Sequence, residues 1–181
     1  GEEVLTRHFG TPNRLMALHA TGSGAYKWWP LERFAVLGAY LYQCYRAPLL
    51  IISGSWDRAR AEALAARLPG PTLVTGGSFP LPMVAAMLKR ARLLVANDSG
   101  PLHMALALGV PSIALIGADH PARIGPYQVD WGTCMYRKEE VCQEERCLNR
   151  RCQENRCMQA ITVEEVVRVV EAWWEPRWGG E

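Results

Sequence analysis

One short polar run in this sequence has the composition of a phosphate-binding site. It spans residues 97–103 and reads NDSGPLH, between an apolar segment and a helix-forming one. The first N–H groups of a helix lack partners and the helix dipole adds positive charge, so a phosphate binds there without a metal. Ser99 can donate its hydroxyl, Gly100 lets an oxygen approach, and His103 lies in the same turn. Alternatively, Asp98 and Ser99 only cap the helix.

A lysine elsewhere in the chain could complete the same site. Lys27 follows the glycine-rich residues 22–25 and precedes the sequence WWP, whose Pro30 fits the first turn of a helix. A lysine between a glycine turn and a helix start is a natural phosphate partner. On its own, Lys27 would be an ordinary solvated surface lysine. Its role depends on whether the fold brings it to residues 97–103.

The composition restricts the class of protein. With 181 residues, the chain is long enough for one domain or two small ones. Hydrophobic residues make up 49% and charged residues 21%, which excludes a disordered tail, a collagen-like rod and a basic protein that coats nucleic acid. The net charge of +2 predicts no polyanionic partner, and so no nucleic acid. Apolar runs such as 49–52 are far shorter than the ~20 residues of a membrane-spanning helix.

Apolar segments and helix-forming segments alternate along most of the chain. Continuous apolar character predicts strands buried on both faces, at residues 15–20, 49–52, 72–75, 93–96 and 112–116. The segments between them predict helices, at residues 31–43, 57–68, 81–90 and 101–108. This alternation is typical of a parallel sheet with helices on both faces. We therefore predict an α/β, Rossmann-like three-layer sandwich.

The predicted sheet brings the glycine-rich segments together. Ligands of such sheets bind at the carboxyl ends of the strands. The segments that follow predicted strands lie at residues 22–27, 54–57, 76–79, 97–103 and 117–121. We therefore expect Lys27 to lie on the same edge as Asp98 and Ser99. Residues 1–13 show no periodicity and predict a linker, and residues 14–161 form the predicted domain.

Five of the six cysteines lie in the cysteine-rich segment, residues 134–158. Cys142, Cys147, Cys152 and Cys157 repeat every five residues, which is about 500° around a helix, so they cannot share one helix face. This spacing matches no C-x₂-C zinc pattern. Three alternatives stay open: a zinc ion or iron–sulfur cluster held by these thiolates, disulfides, and reduced thiols.

The last part of the chain, residues 162–181, predicts a C-terminal helix and a tail. Thr162 and Glu165 match a capping box, in which each side chain satisfies the backbone N–H of the other residue. The helix is expected to run to about Trp174 and to end at residues 175–176, which read EP. We expect the tryptophans at its end to pack on a preceding domain, on one another in its absence, or on the sheet of this domain.

Several of these motifs together resemble glycosyltransferase family nine, the heptosyltransferases of lipopolysaccharide inner-core synthesis. The matching segments are KWWP with a following RF at residues 27–34, NDSGPLHMA at 97–105, and GVP with a later G and P at 109–121. The sequence CMQAI at 157–161 is similar to a family pattern in which several cysteines precede Cys-Met-x-x-Ile. The resemblance covers residues 15–167.

The resemblance implies a GT-B fold, in which two Rossmann-like halves face each other across a cleft. This chain would be the C-terminal half, which binds the nucleotide-sugar donor, typically ADP-heptose. An N-terminal half would bind the lipopolysaccharide core acceptor and supply a catalytic aspartate, so we expect no catalytic residue in this chain. We expect the isolated chain to bind nucleotide weakly and to transfer no sugar.

The family's binding residues carry over by position. Lys27 and Ser23 are expected to contact phosphate, Phe79 the adenine, and Asp57 the ribose hydroxyls. The residues expected at the diphosphate and the sugar are Asp98, Ser99, Gly100 and His103. The resemblance also implies a bacterial, cytoplasmic protein that needs no divalent metal or other cofactor. Peripheral association with the inner face of the inner membrane is a further expectation.

Two other functions fit part of the same pattern. Half of a sugar-nucleotide epimerase would share the two-domain fold, but it would need catalytic acids across the cleft that this sequence does not display. A stand-alone nucleotide-binding or metal-binding module would use the glycine-rich edge or the cysteines without any catalysis.

Overall fold

A parallel six-stranded sheet forms the centre of the protein. The computed structural model describes residues 1–11, 13–126, 129–142, 152 and 154–178. The strands are β1 Met16–His19, β2 Leu49–Ile51, β3 Thr72–Val74, β4 Leu93–Asn97, β5 Ser112–Ile116 and β6 Gly132–Tyr136. Their order across the sheet is β3-β2-β1-β4-β5-β6, and every neighbouring pair is parallel. The chain thus winds outward in two directions from the junction of β1 and β4.

Helices cover both faces of this sheet. The longer ones are α1 Glu2–Phe9, α2 Leu31–Tyr45, α3 Arg58–Ala65, α4 Leu81–Leu88, α5 Gly100–Ala107 and α9 Val163–Trp178. The short ones are α6 Pro121–Ile124, α7 Lys138–Val141 and α8 Arg156–Ala160, with a 3₁₀ turn at Ala25–Lys27. No helix in the described ranges is long and apolar enough to cross a bilayer.

The sheet divides the core into two clusters because successive strand residues point to opposite faces. In β4, Leu93 and Val95 join the cluster that contains α2, α3 and α9. Leu94 and Ala96 join the other cluster, with α1, α4 and α5. The central strands are apolar except at their ends, because both of their faces are buried. The predicted α/β three-layer sandwich with a parallel sheet is confirmed.

The last strand, β6, was not predicted. It pairs with β5 in the register that places Ala114 beside Cys134. It is an edge strand with one neighbour, and Met135 is its one buried residue. A half-exposed strand does not need a continuous apolar run, so its sequence lacks the signal that marked the central strands. The cysteine-rich segment therefore begins inside the sheet, where burial raises the pKa of the Cys134 thiol.

The N-terminal segment predicted as a linker is largely helical. Helix α1 buries Leu5, with Val4 and Phe9 packed against the same cluster as α4. Two acidic residues lie in its first turn and two basic residues in its last, and at both ends these charges interact favourably with the helix dipole. The sequence of α1 has too few apolar positions to show a helical period. So short a helix is only marginally stable by itself, and its contact with α4 supplies the missing stability.

The capping box at the start of α9 is confirmed. The Glu165 N–H donates to Thr162 Oγ1 over 3.2 Å, and the Thr162 N–H donates to Glu165 Oε2 over 2.8 Å. The predicted end of this helix is wrong, because α9 continues through Pro176 to Trp178. A proline so near the C-terminus removes one hydrogen bond and leaves the last turn in place.

The packing of the C-terminal tryptophans is described at one position, Trp173. Trp173 packs against the core cluster that contains α2, which is the alternative of packing on this domain's own sheet. The side chains of Trp174 and Trp178 lie outside the described part of the chain, as do residues 179–181.

Removal of the cap should destabilise the protein measurably. We expect Thr162→Ala to lower the free energy of unfolding by about 1 kcal/mol, because the N–H of Glu165 loses its partner. In a chain of this size that is a fall of roughly 2–4 °C in Tm. Thr6→Ala, at an exposed position inside α1, is the control and should cause no such fall. Equal Tm values for Thr162→Ala and the unsubstituted chain would contradict the assignment.

Candidate functional site

A pocket of about 410 Å³ opens at the carboxyl ends of β1, β2 and β4. This is the switch point of the sheet, where strand order reverses and where ligands of such folds bind. The volume lies within the range of small-molecule sites, about 300–1,000 Å³. Its lining residues are His19, Gly22, Ser23, Lys27, Gly54, Trp56, Asp57, Asp98, Ser99, Gly100, Pro101 and His103.

A part-buried ion pair joins the two motifs that the sequence singled out. Lys27 Nζ contacts Asp98 Oδ2, with 14% and 8% of the two side chains exposed. His103 Nε2 lies 3.8 Å from the other carboxylate oxygen, Asp98 Oδ1. The alternative that Lys27 is a solvated surface lysine is therefore wrong. Lys27 comes to this carboxylate from the turn after β1 and His103 from the first turn of α5, as the predicted sheet edge required.

The first turn of α5 faces the pocket without a side-chain cap. Ser99 precedes the helix, yet its hydroxyl donates to the carbonyl of Asn97 over 2.9 Å and makes no cap hydrogen bond. The alternative in which Ser99 caps the helix is thus wrong. A Cβ at Gly100 would meet no atom within 4 Å, so the space over this turn is open. The unpaired N–H groups and the helix dipole make this turn a favourable place for an anion.

The Asp57 side chain is held from two directions. Its Oδ1 accepts a hydrogen bond from the Gly54 N–H over 2.6 Å, and its Oδ2 accepts one from the hydroxyl of Thr21. Asp57 is buried, and it links the loop after β2 to the loop after β1. Its carboxylate thus faces the pocket in a fixed orientation, with lone pairs left for a ligand.

A histidine that the sequence analysis did not single out lies behind Thr21. His19 Nδ1 donates to the carbonyl of Ile52 over 2.8 Å, and its Nε2 lies 3.3 Å from Thr21 Oγ1. Burial lowers the pKa of His19, against smaller opposing effects of the Ile52 hydrogen bond and of Asp57. The folded protein therefore keeps this ring neutral at neutral pH. Strand position alone could have pointed to His19, since it is the last residue of β1.

The aromatic residue at the pocket differs from the one predicted. Phe79 is not among the lining residues, and it packs against the cluster that contains α4. Trp56 lines the pocket instead, with 68% of its surface exposed. A Cβ at Gly54 would lie 3.1 Å from the indole Nε1, so a glycine there leaves room for the ring. A tryptophan in the loop after β2 was the signal that could have identified it.

The buried amide of Asn97, at the end of β4, holds the loops around the pocket. Its Oδ1 accepts from the Trp29 N–H over 3.1 Å, and its Nδ2 donates to the carbonyl of Thr21 over 3.2 Å. These bonds fix both ends of the loop that contains Lys27 against the strand that precedes Asp98. Asn97 therefore acts on the geometry of the pocket without lining it.

Comparison with known proteins decides the family. The sequence profile described as glycosyltransferase family 9 (heptosyltransferase) matches residues 4–155, which is most of the chain. The chain belongs to glycosyltransferase family 9. The matched range includes both motifs that meet in the pocket.

The similar proteins are all longer than this family 9 chain, and the solved ones cover most of it. Lipopolysaccharide heptosyltransferase 3 of Escherichia coli is 28% identical over 116 residues, which are 62% of this chain and 34% of the relative. A family 9 glycosyltransferase structure from Veillonella parvula matches with a TM-score of 0.79 and 25% identity, and covers 95% of this chain and 50% of its own. The E. coli ADP-heptose lipopolysaccharide heptosyltransferase II matches with a TM-score of 0.76, 18% identity and the same two shares. The chain thus spans about a third of the curated relative and half of the solved ones.

The cysteines of this family 9 chain are described only in part. Cys142 and Cys152 carry free thiols, and Cys157 is buried beside Gly117. Within the described ranges, no three metal-binding side chains lie together. Cys147 lies outside those ranges, so the choice between metal, disulfides and reduced thiols stays as the sequence left it.

The buried histidine predicts a pH dependence of stability. The unfolded chain protonates His19 near the ordinary pKa of 6.5, whereas the folded protein resists protonation until its lowered pKa. The free energy of unfolding should therefore fall as the pH drops below about 6.5. His19→Asn, which keeps a donor for Ile52 but does not titrate, should flatten this slope between about pH 5 and 7. Urea unfolding at several pH values measures it, and equal slopes for both proteins would refute the assignment.

Proposed function

We propose that this chain is the donor-binding part of a heptosyltransferase, and that its pocket takes the diphosphate of ADP-heptose. The observation that carries the proposal is the part-buried Lys27–Asp98 pair beside the open first turn of α5. This arrangement occurs in a chain of a heptosyltransferase family, and a solved protein with the same fold is named for ADP-heptose. The proposed acceptor is a lipopolysaccharide core, as the name of the curated relative suggests.

The chemistry of the pocket suits a leaving diphosphate. Transfer of a sugar from a nucleotide develops negative charge on the diphosphate, and donors already aimed at that charge are usually the largest catalytic term. Lys27 supplies an ammonium with three N–H groups, so it can contact Asp98 and a phosphate oxygen together. The hydroxyl of Ser23, the N–H groups of α5 and the His103 ring supply further donors, whereas the Ser99 hydroxyl already donates to the carbonyl of Asn97. No step in this scheme requires a metal.

The remaining pocket residues suit the sugar and the nucleoside. Carboxylate oxygens accept hydrogen bonds from sugar hydroxyls, and Asp98 lies beside the proposed diphosphate. Asp57 is placed for the ribose, with its orientation fixed by Thr21 and Gly54. Trp56 offers an exposed aromatic face for the base, in place of Phe79.

The proposal assigns the acceptor and the catalytic base to a second, N-terminal half. Across a cleft, that half would present the acceptor hydroxyl to the sugar bound over α5. We further propose that the assembled protein works in the cytoplasm, at the inner face of the inner membrane where its lipid-linked acceptor lies.

Removal of the lysine should weaken diphosphate binding. We expect Lys27→Ala to reduce the affinity of this chain for ADP and for pyrophosphate by roughly 10- to 100-fold, because a charge-assisted hydrogen bond is lost and Asp98 then repels the anion. His103→Ala should act in the same direction. In the complete enzyme, each substitution should slow transfer by about two orders of magnitude.

Isothermal titration calorimetry measures these affinities. Lys89→Ala removes an exposed lysine that does not line the pocket, and it is the matched control for lost charge. The double variant Lys27→Ala/Asp98→Asn lacks both the ammonium and the carboxylate charge. Its affinity shows how much of the loss in Lys27→Ala comes from the missing lysine and how much from repulsion between Asp98 and the anion. Unchanged affinities in both Lys27→Ala and His103→Ala would refute the proposed site.

The tryptophan should contribute to nucleotide binding but not to pyrophosphate binding. Stacking of a base on an aromatic ring contributes about 1–3 kcal/mol, so Trp56→Leu should weaken ADP binding by roughly 5- to 100-fold. Pyrophosphate, which has no base, should bind Trp56→Leu as it binds the unsubstituted chain. Phe79→Leu is the control: it should lower Tm through lost packing and leave the ratio of ADP to pyrophosphate affinity unchanged. The opposite pattern would place the base at Phe79.

A further inference from the structure

The described end of the cysteine-rich segment lies on the loop that contains Lys27. Asn155 Nδ2 donates to the carbonyl of Trp28 over 2.7 Å and to the carbonyl of Ala25 over 3.3 Å. The residues that it joins are about 130 positions apart in the sequence. Both partners are carbonyl oxygens, so only the amide nitrogen of Asn155 can make these bonds.

The two carbonyls lie on either side of Lys27. The turn at Ala25–Lys27 is closed by two backbone bonds, from the Lys27 N–H to Gly24 and from the Trp28 N–H to Ala25, each of 3.0 Å. Asn155 adds a clamp across the outside of this turn. The direction of the Lys27 side chain is set by the backbone of a three-residue turn, so any opening of the turn moves the ammonium.

Two features of Asn155 reduce the stability of the folded protein. Its backbone has φ 48° and ψ 35°, the left-handed region that asparagine tolerates better than most residues. Its Oδ1 is buried and has no hydrogen-bond partner among the described residues. A residue with a strained backbone and a half-satisfied amide calls for an explanation beyond packing. The clamp on the Lys27 turn supplies one.

We propose that Asn155 is a positioning residue, which holds the Lys27 turn so that the ammonium points at the diphosphate. The inference rests on the proposed function of the pocket. It makes the described end of the cysteine-rich segment part of the phosphate site, although that segment contributes no residue to the pocket lining. A substitution at Asn155 should therefore change phosphate binding through Lys27.

The chain offers a matched control for this inference. Arg33 Nη1 donates to the carbonyl of Gln159 over 2.5 Å and also to that of Ile161. Arg33 thus holds the chain just after Asn155 against the first turn of α2, and it makes no contact with the Lys27 turn. Arg33→Gln breaks this tie and tests for a merely structural role.

The test compares Asn155→Gly, Asn155→Asp and Arg33→Gln in the 181-residue chain. Glycine keeps the left-handed backbone without strain, and aspartate keeps the shape but removes the donors. Three quantities are measured: Tm, hydrogen exchange of the amides in residues 24–29, and affinity for pyrophosphate by calorimetry. We expect both Asn155 variants to exchange faster in residues 24–29 and to bind pyrophosphate at least 5-fold more weakly. Arg33→Gln should lower Tm while leaving the other two quantities unchanged.

The outcomes distinguish failure of the Asn155 inference from failure of the proposed function. Asn155 variants that lose only Tm, as Arg33→Gln does, would overturn the inference and leave the proposed function intact. An unsubstituted chain that binds neither pyrophosphate nor ADP would refute the proposed function. In that case the exchange at residues 24–29 still decides whether Asn155 holds the Lys27 turn.

Discussion

The pocket depends on one buried amide at the end of the central strand. Asn97 completes β4, is fully buried, and bonds both to Thr21 before the Lys27 turn and to Trp29 after it. A buried amide left without these partners is costly, so the loop cannot move away without losing both bonds. Two motifs that lie seventy residues apart are thereby kept at contact distance, and the Lys27–Asp98 pair follows from that restraint.

The electrostatics of the pocket are those of a site prepared for an anion. Asp98 neutralises Lys27 in the folded protein, which lets an ammonium group lie largely out of water. The open end of α5 adds positive potential on the same side, and the half-exposed His103 ring lies beside it. Asp57, by contrast, is oriented by one hydrogen bond from Thr21 and one from Gly54 and keeps lone pairs, so it serves as a fixed acceptor. The pocket is thus divided into a donor-rich corner and an acceptor-rich one.

Whether an element could be predicted from the sequence depended on how deeply that element is buried. Central strands such as β4 are apolar on both faces, and that pattern can be recognised without a structure. The edge strand β6 and the helix α1 are stabilised by one neighbour each, so their sequences carry little periodic signal. For the site, the rule that ligands bind at the carboxyl ends of strands brought Lys27 and Asp98 together correctly. The rule could not choose between Trp56 and Phe79, because both follow strands at that edge.

The sequence by itself determined the alternation of strands and helices, the capping box of α9 and the phosphate-binding character of residues 97–103, since each depends on residues close together in the chain. Only the tertiary structure decided which groups are neighbours across the sheet. It packed the partly buried Phe79 against the cluster that contains α4 and left Trp56 at the pocket. It also placed His19 behind Thr21 and Asn155 across the Lys27 turn. Those contacts join distant segments, and their geometry is set by strand order and loop packing rather than by local sequence preference.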